Sequence, residues 1–186
     1  MSRSFQIGGY VSSAILVLLG IAMIAIGVSG RSDVRDRLGQ EQIVGIPGSS
    51  IDGQAVDTGS EAKAFADTIR EDTLAATDGL TYAEMPRAVF KDSGKAVPAD
   101  QAQKALASGK AIDNPARQIW ITSTALSTAL NTSFFAESVA TFAIVVGVAL
   151  MLIGTGLFVL TRGVIGRPRV TVAAVPPTAT PAAASV

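Results

Sequence analysis

The sequence predicts a mainly α membrane protein: two transmembrane helices forming a helical hairpin, with an α-rich α+β extramembrane domain inserted between them. Three observations predict it. Two long apolar runs, residues 11–30 and 139–160, carry no charged side chain. Charge crowds into the stretch between them: residues 31–138 hold eleven basic and all fifteen acidic side chains, net −4, whereas the ends hold only Arg3, Arg162, Arg167 and Arg169. A hydrophobic content of 48% with a mean hydropathy of +0.42 is high for a soluble chain of 186 residues.

Residues 1–10 read as a short cytoplasmic N-terminus. The first span, 11–30, has the roughly 20 apolar residues that cross a ~30 Å hydrocarbon core, and Tyr10 sits where an interfacial aromatic belongs. The competing reading is a cleaved signal peptide with Val28 and Gly30 before the cut, although the apolar run is long for one. The second span covers 139–161. Arg162, Arg167 and Arg169 follow it with no acid among them, which reads as a cytoplasmic membrane anchor. An even number of spans puts both termini on the cytoplasmic side of the cell membrane and residues 31–138 outside. Arg31, Arg35 and Arg37 argue against that orientation, but they alternate with Asp33 and Asp36, and long loops translocate largely regardless of charge. The tail, 162–186, reads as the basic anchor followed by a disordered Ala/Pro/Thr-rich segment.

Within 31–138, Gln42–Pro47 reads as a short strand. Thr58 and Glu61 match a capping box, opening a helix to about Thr77 with Ala62, Phe65 and Ile69 on one face and Gly79 as its stop. Ala88–Phe90 and Lys95–Val97 read as a hairpin, and Pro98 opens a short helix to about Ala107. Asp113-Asn114-Pro115 then opens the last helix, a side-chain cap followed by Pro at the first helical position. That helix, 115–138, is expected to run on into the second span, a rod to Leu160 of roughly 69 Å. Ile119, Leu126, Leu130 and Phe134 form a stripe on its outer half, with Ser and Thr opposite. Only twenty-five of these 108 residues are large apolar or aromatic, so the core is thin and is expected to lean on the long helix, the membrane or a partner.

Absent residue types limit the chemistry. With no cysteine there is no disulfide or thiolate nucleophile. With no histidine there is no Ser-His-Asp triad, His-ligated zinc or haem, or 2-His-1-carboxylate iron. No catalytic, cofactor-binding or metal-binding residue is assigned, and no nucleic-acid-binding patch is visible. Glu61, Asp67, Glu71 and Asp72 share a helix, but neighbours point apart and a solvated face accounts for them.

The clearest pattern is small residues. Ser13, Gly20 and Gly27 are spaced by seven, as are Ala140, Gly147 and Gly154. Such stripes let helix backbones approach closely, within one chain or between copies. Chance is the competing reading, since Gly and Ala are common in membrane helices. Neither span holds a charge, which argues against an ion pathway. Tyr82, Glu84 and Arg87 form a possible contact site or simply a packed turn, and Trp120 reads as a core or interface anchor.

The stretch Asp113-Asn-Pro-Ala-Arg-Gln-Ile-Trp-Ile-Thr-Ser-Thr-Ala-Leu-Ser-Thr-Ala-Leu-Asn-Thr132 resembles a largely uncharacterised family of two-span actinobacterial membrane proteins. Ile43-Val-Gly45, Glu61-Ala-Lys-Ala-Phe-Ala66 and Tyr82-Ala-Glu-Met-Pro-Arg87 are similar too, and the likeness covers roughly residues 10 to 160. Some members carry the label aromatic ring-opening dioxygenase. Such oxygenases hold iron through His and carboxylate ligands, and this chain has no His. The resemblance therefore implies architecture and bacterial origin without an activity. The expected function is non-enzymatic: an accessory or scaffold subunit in the lipid bilayer, a homo-oligomer or part of a larger membrane complex. The alternative is a sensor or ligand-binding domain signalling through the long helix. An enzyme using carboxylates alone is the third reading, and it needs a cleft with convergent acids.

Overall fold

The computed structural model describes residues 3–163, with side chains from Gln6 onward. In chain order the elements are α1 (Arg3–Glu41), α2 (Gly59–Ala76), β1 (Ala88–Phe90), α3 (Ala102–Ala107), β2 (Ala111–Asp113) and α4 (Pro115–Gly163). The protein is mainly helical, and two helices dominate it. With 39 and 49 residues, α1 and α4 extend roughly 58 and 73 Å. Both are long and apolar enough to cross a membrane. Their large apolar side chains point away from the protein: Leu18, Ile26, Phe142 and Leu152 are 65–70% exposed.

The two helices pack antiparallel, and the small-residue stripes meet each other within one chain. Ser13 faces Gly154, Gly20 faces Gly147, and Gly27 faces Ala140. A Cβ on Gly20 would stand 2.6 Å from the Gly147 carbonyl oxygen, and one on Gly147 would stand 2.7 Å from the Gly20 carbonyl. Backbone therefore touches backbone at the middle pair, which only glycine permits. The Ser13 hydroxyl donates to the Gly154 carbonyl at 2.8 Å. Beyond it Tyr10 and Phe158 meet edge to face at 5.4 Å.

Past residue 30, α1 does not end. It continues to Glu41, because Val34 and Leu38 repeat one turn apart and face a core. Gln42 then breaks it with φ +52°. The strand expected over Gln42–Pro47 is replaced by a looped segment with two isolated bridges, Val44–Ala55 and Gly45–Asp52. The Gly45 N–H donates to the Gln54 carbonyl at 2.8 Å and the Val56 N–H to the Ile43 carbonyl at 2.9 Å, so the segment meets residues 52–56 through single bridges and not a continuous ladder.

α2 begins as expected. Thr58 Oγ1 accepts the Glu61 N–H, and the Glu61 carboxylate accepts the Thr58 N–H at 2.9 Å. Thr58→Ala is expected to destabilise the segment by about 1 kcal/mol, read by denaturant unfolding in detergent. At the other end Asp78 takes the left-handed position (φ +54°) and Gly79 N–H closes on the Leu74 carbonyl at 2.8 Å. Gly79, itself at φ +76°, thus takes part in the turn that ends the helix, after Asp78.

β1 is the middle of a small sheet. Its expected partner, 95–97, bonds to one edge through Phe90 N–H to Lys95 O and Val97 N–H to Ala88 O. β2 pairs antiparallel on the other, in the register Ala88↔Asp113 and Phe90↔Ala111. The helix expected from Pro98 starts instead at Ala102, since Gln101 N–H closes a turn on Pro98 O.

The main core sits where the C-terminal end of α1, α2 and α4 converge: Leu38, Ile51, Val56, Ala62, Ala66 and Leu130, with Phe65 and Ile69 against it. A smaller cluster of Ala88, Val97, Ala102 and Ala111 holds the sheet to α3. Of the expected outer stripe of α4, Leu130 is buried, whereas Ile119, Leu126 and Phe134 are 37–45% exposed. α2 and α1 cover too little of α4 to bury the rest.

Candidate functional site

Three polar arrangements ride on this scaffold, and the first lies where α1, α2 and α4 meet. Glu137 is the lone acid between Arg117 and Arg162 and is buried, 8% exposed. Its Oε1 accepts the Arg31 Nε–H at 2.8 Å, with Arg35 Nη2 at 3.6 Å. Its Oε2 accepts the N–H of Gly59, the first residue of α2. One carboxylate thus ties both long helices to the N-terminus of α2, where the helix dipole favours negative charge. Burial is the largest influence on Glu137 and raises its pKa. The Gly59 N–H, Arg31 and Arg35 together outweigh it, so the pKa lies below the ordinary carboxylate value.

The second arrangement is a groove at the N-terminal end of α4. Tyr82, Arg87, Asp113, Asn114, Arg117, Gln118 and Ile121 line it around a volume of about 670 Å³. Asn114 builds the corner. Its Oδ1 accepts the Ala116 N–H at 3.0 Å and caps α4, while its Nδ2 donates to the Pro86 carbonyl at 2.9 Å. Its backbone N–H also donates to the Arg87 carbonyl. The Tyr82–Arg87 loop is thereby fastened to the first turn of α4. The Arg117 guanidinium lies 3.9 Å from the centre of the Tyr82 ring, a close cation–π contact.

The third is a cavity of about 150 Å³ between α2 and α4, lined by Asp67, Arg70, Trp120, Ser123, Ser127 and Asn131 among others. The Arg70 guanidinium lies 5.9 Å from the Trp120 ring centre.

The sequence-derived candidates therefore divide. Tyr82 and Arg87 share the groove at the N-terminal end of α4. Glu84 does not join it; its carboxylate accepts the Thr81 N–H and hydroxyl, both at 2.8 Å, which lowers its pKa and closes a local turn. Trp120 belongs to the separate cavity. Ser13, Gly20, Gly27, Ala140, Gly147 and Gly154 form the helix contact. Arg162 lies in the last turn of α4, and Arg167 and Arg169 fall outside the described residues. Sequence reading missed Arg117, Glu137 with Arg31 and Arg35, and Arg70. The one available signal was Glu137, a solitary acid at the edge of an apolar run.

Among the described residues no group of three or more His, Cys, Asp or Glu side chains is placed to hold a metal. The three arrangements combine guanidinium, carboxylate, hydroxyl, amide and aromatic groups. No family model, curated protein or solved structure compared with the chain matches it.

Proposed function

We propose that the chain is a non-enzymatic membrane protein that presents an extracytoplasmic domain on a two-helix stalk, as an accessory or scaffold subunit of a membrane assembly. The observation that carries this reading is continuity: α1 and α4 each pass from an apolar segment into the polar part without a break. A flexible linker would let a domain roam, whereas a continuous helix pair fixes its height and rotation. The Gly20–Gly147 contact and the Glu137 node support a stiff stalk at two levels. The exposed apolar side chains of both helices suit lipid and not water. Exposed Ile119, Leu126 and Phe134 leave a surface that a partner can cover.

The test is extraction in a mild detergent through a C-terminal affinity tag, with every co-purifying protein quantified. A partner at fixed stoichiometry is the expected result. A lone monomer would sink the reading.

The sensor reading has one observation in its favour. The cavity between α2 and α4 abuts a helix that continues into the second apolar segment. It predicts that a small molecule raises the thermal stability of the wild type and fails to do so in Trp120→Ala. No stabilising compound in a broad metabolite screen would count against it.

A further inference from the structure

We propose that the groove at the N-terminal end of α4 binds a carboxylate-bearing peptide segment of a partner protein. The inference rests on the scaffold reading for the existence of that partner. It begins with charge. Residues 31–138 carry net −4, yet Arg87 and Arg117 line one groove and neither forms an ion pair among the described residues. Asp113 also lines the groove and pairs with neither of them. Two guanidiniums left with open forks match a carboxylate, which each can hold through two parallel hydrogen bonds.

The groove is pre-organised for that task. Tyr82 stacks on Arg117 and restricts its guanidinium before any ligand arrives. The backbone of Arg87 is tied to Asn114 through its own carbonyl and that of Pro86. Arg117 and Gln118 also lie in the first turn of α4, whose dipole adds positive potential.

Size and composition select a peptide over a bare anion. The groove's volume of about 670 Å³ far exceeds one phosphate or carboxylate group. Its wall includes the Tyr82 ring and Ile121, 38% and 47% exposed, which an inorganic ion would leave unused. Tyr and Arg around a small apolar surface is the composition of protein-interface hot spots. Lipid headgroups are excluded by height. Pro115 stands 24 residues along α4 from Val139, roughly 36 Å at 1.5 Å per residue, several times the ~8 Å Debye length of physiological salt.

The experiment uses the full chain in detergent micelles and follows the arginine side-chain Nε–H resonances by NMR during titration with a hexaglutamate peptide. The resonances of Arg87 and Arg117 are expected to move saturably. Arg87→Gln, an exposed position, is expected to weaken binding about tenfold or more, and Tyr82→Leu to weaken it by freeing Arg117. Inorganic phosphate is expected to bind more weakly than the peptide. No saturable shift, or equal affinity in Arg87→Gln, would overturn the proposal. Phosphate binding as tightly as hexaglutamate would overturn the peptide assignment and leave a plain anion site. If hexaglutamate binds but nothing co-purifies, the scaffold reading alone fails. If a partner co-purifies but hexaglutamate does not bind, this site alone fails.

Discussion

Gly20→Ile is expected to unfasten the helical hairpin. The substituted Cβ would stand 2.6 Å from the Gly147 carbonyl oxygen and 2.7 Å from the Met151 side chain. Methionine can move aside, but the carbonyl belongs to a helix backbone and cannot. The two helices must separate, and separation also stretches the Ser13–Gly154 hydrogen bond and the Gly27–Ala140 contact. Overpacking inside a well-packed contact costs about 1–3 kcal/mol, and a forced backbone shift lies at or above the upper end. A loss of about 3 kcal/mol is expected, measured by reversible unfolding in mixed SDS and mild-detergent micelles. The same helix pair supplies a control. A Cβ on Gly156 meets nothing within 4 Å, so Gly156→Ile is expected to change stability by no more than about 0.5 kcal/mol. Equal stability of the two variants would show that the hairpin does not rest on backbone contact.

The second large effect is expected at Glu137. Glu137→Ala leaves the Gly59 N–H without its acceptor and leaves Arg31 and Arg35 facing each other with no anion. Removing one partner of a fully buried ion pair costs about 3–5 kcal/mol. Here both arginine side chains are nearly half exposed, at 44% and 46%. Water screens them, and the expected loss falls to about 2 kcal/mol. Glu137→Gln keeps an acceptor for Gly59 and is expected to recover part of it. Hydrogen exchange would place the damage, with protection lost first in the opening turn of α2.

The same residue sets a pH dependence whose sign is fixed. The folded pKa of Glu137 is depressed, so its contribution is fully present above the ordinary carboxylate value of about 4.3. It is lost as pH falls through the folded value. The stability gap between wild type and Glu137→Gln is therefore expected to be wide at neutral pH and to close in the acid range below about pH 4. A gap independent of pH would mean that the carboxylate charge does not hold the node.

What could be read in advance divides along sequence separation. The Thr58–Glu61 capping box is local: donor and acceptor lie three residues apart, and the pattern carries its own geometry. The continuity of α4 was legible because residues 116–146 contain neither Pro nor Gly. The small-residue stripes were legible as stripes, since spacing alone puts Ser13, Gly20 and Gly27 on one face. That they meet within one chain needed three-dimensional contact. The extension of α1 to Glu41 was hidden by its charges, because Val34 and Leu38 look like isolated apolar residues until α4 supplies their core. Glu137 depends on that extension: Arg31 and Arg35 reach it only if the helix does not stop at residue 30. The groove at the N-terminal end of α4 joins Tyr82 to Arg117 across the β1–β2 pairing, and no local pattern announces a three-residue strand that runs into a helix cap.

The central claim, a two-span hairpin carrying its polar part outside, is tested most directly by cysteine accessibility. The chain has no cysteine, so each single substitution stands on a clean background. Ser93 lies exposed in the turn leaving β1, and Ser4 lies near the start of α1. In intact cells Ser93→Cys is expected to react with a membrane-impermeant maleimide, and Ser4→Cys to react only after the membrane is permeabilised. Labelling of Ser4→Cys in intact cells, or protection of Ser93→Cys until permeabilisation, would contradict the account.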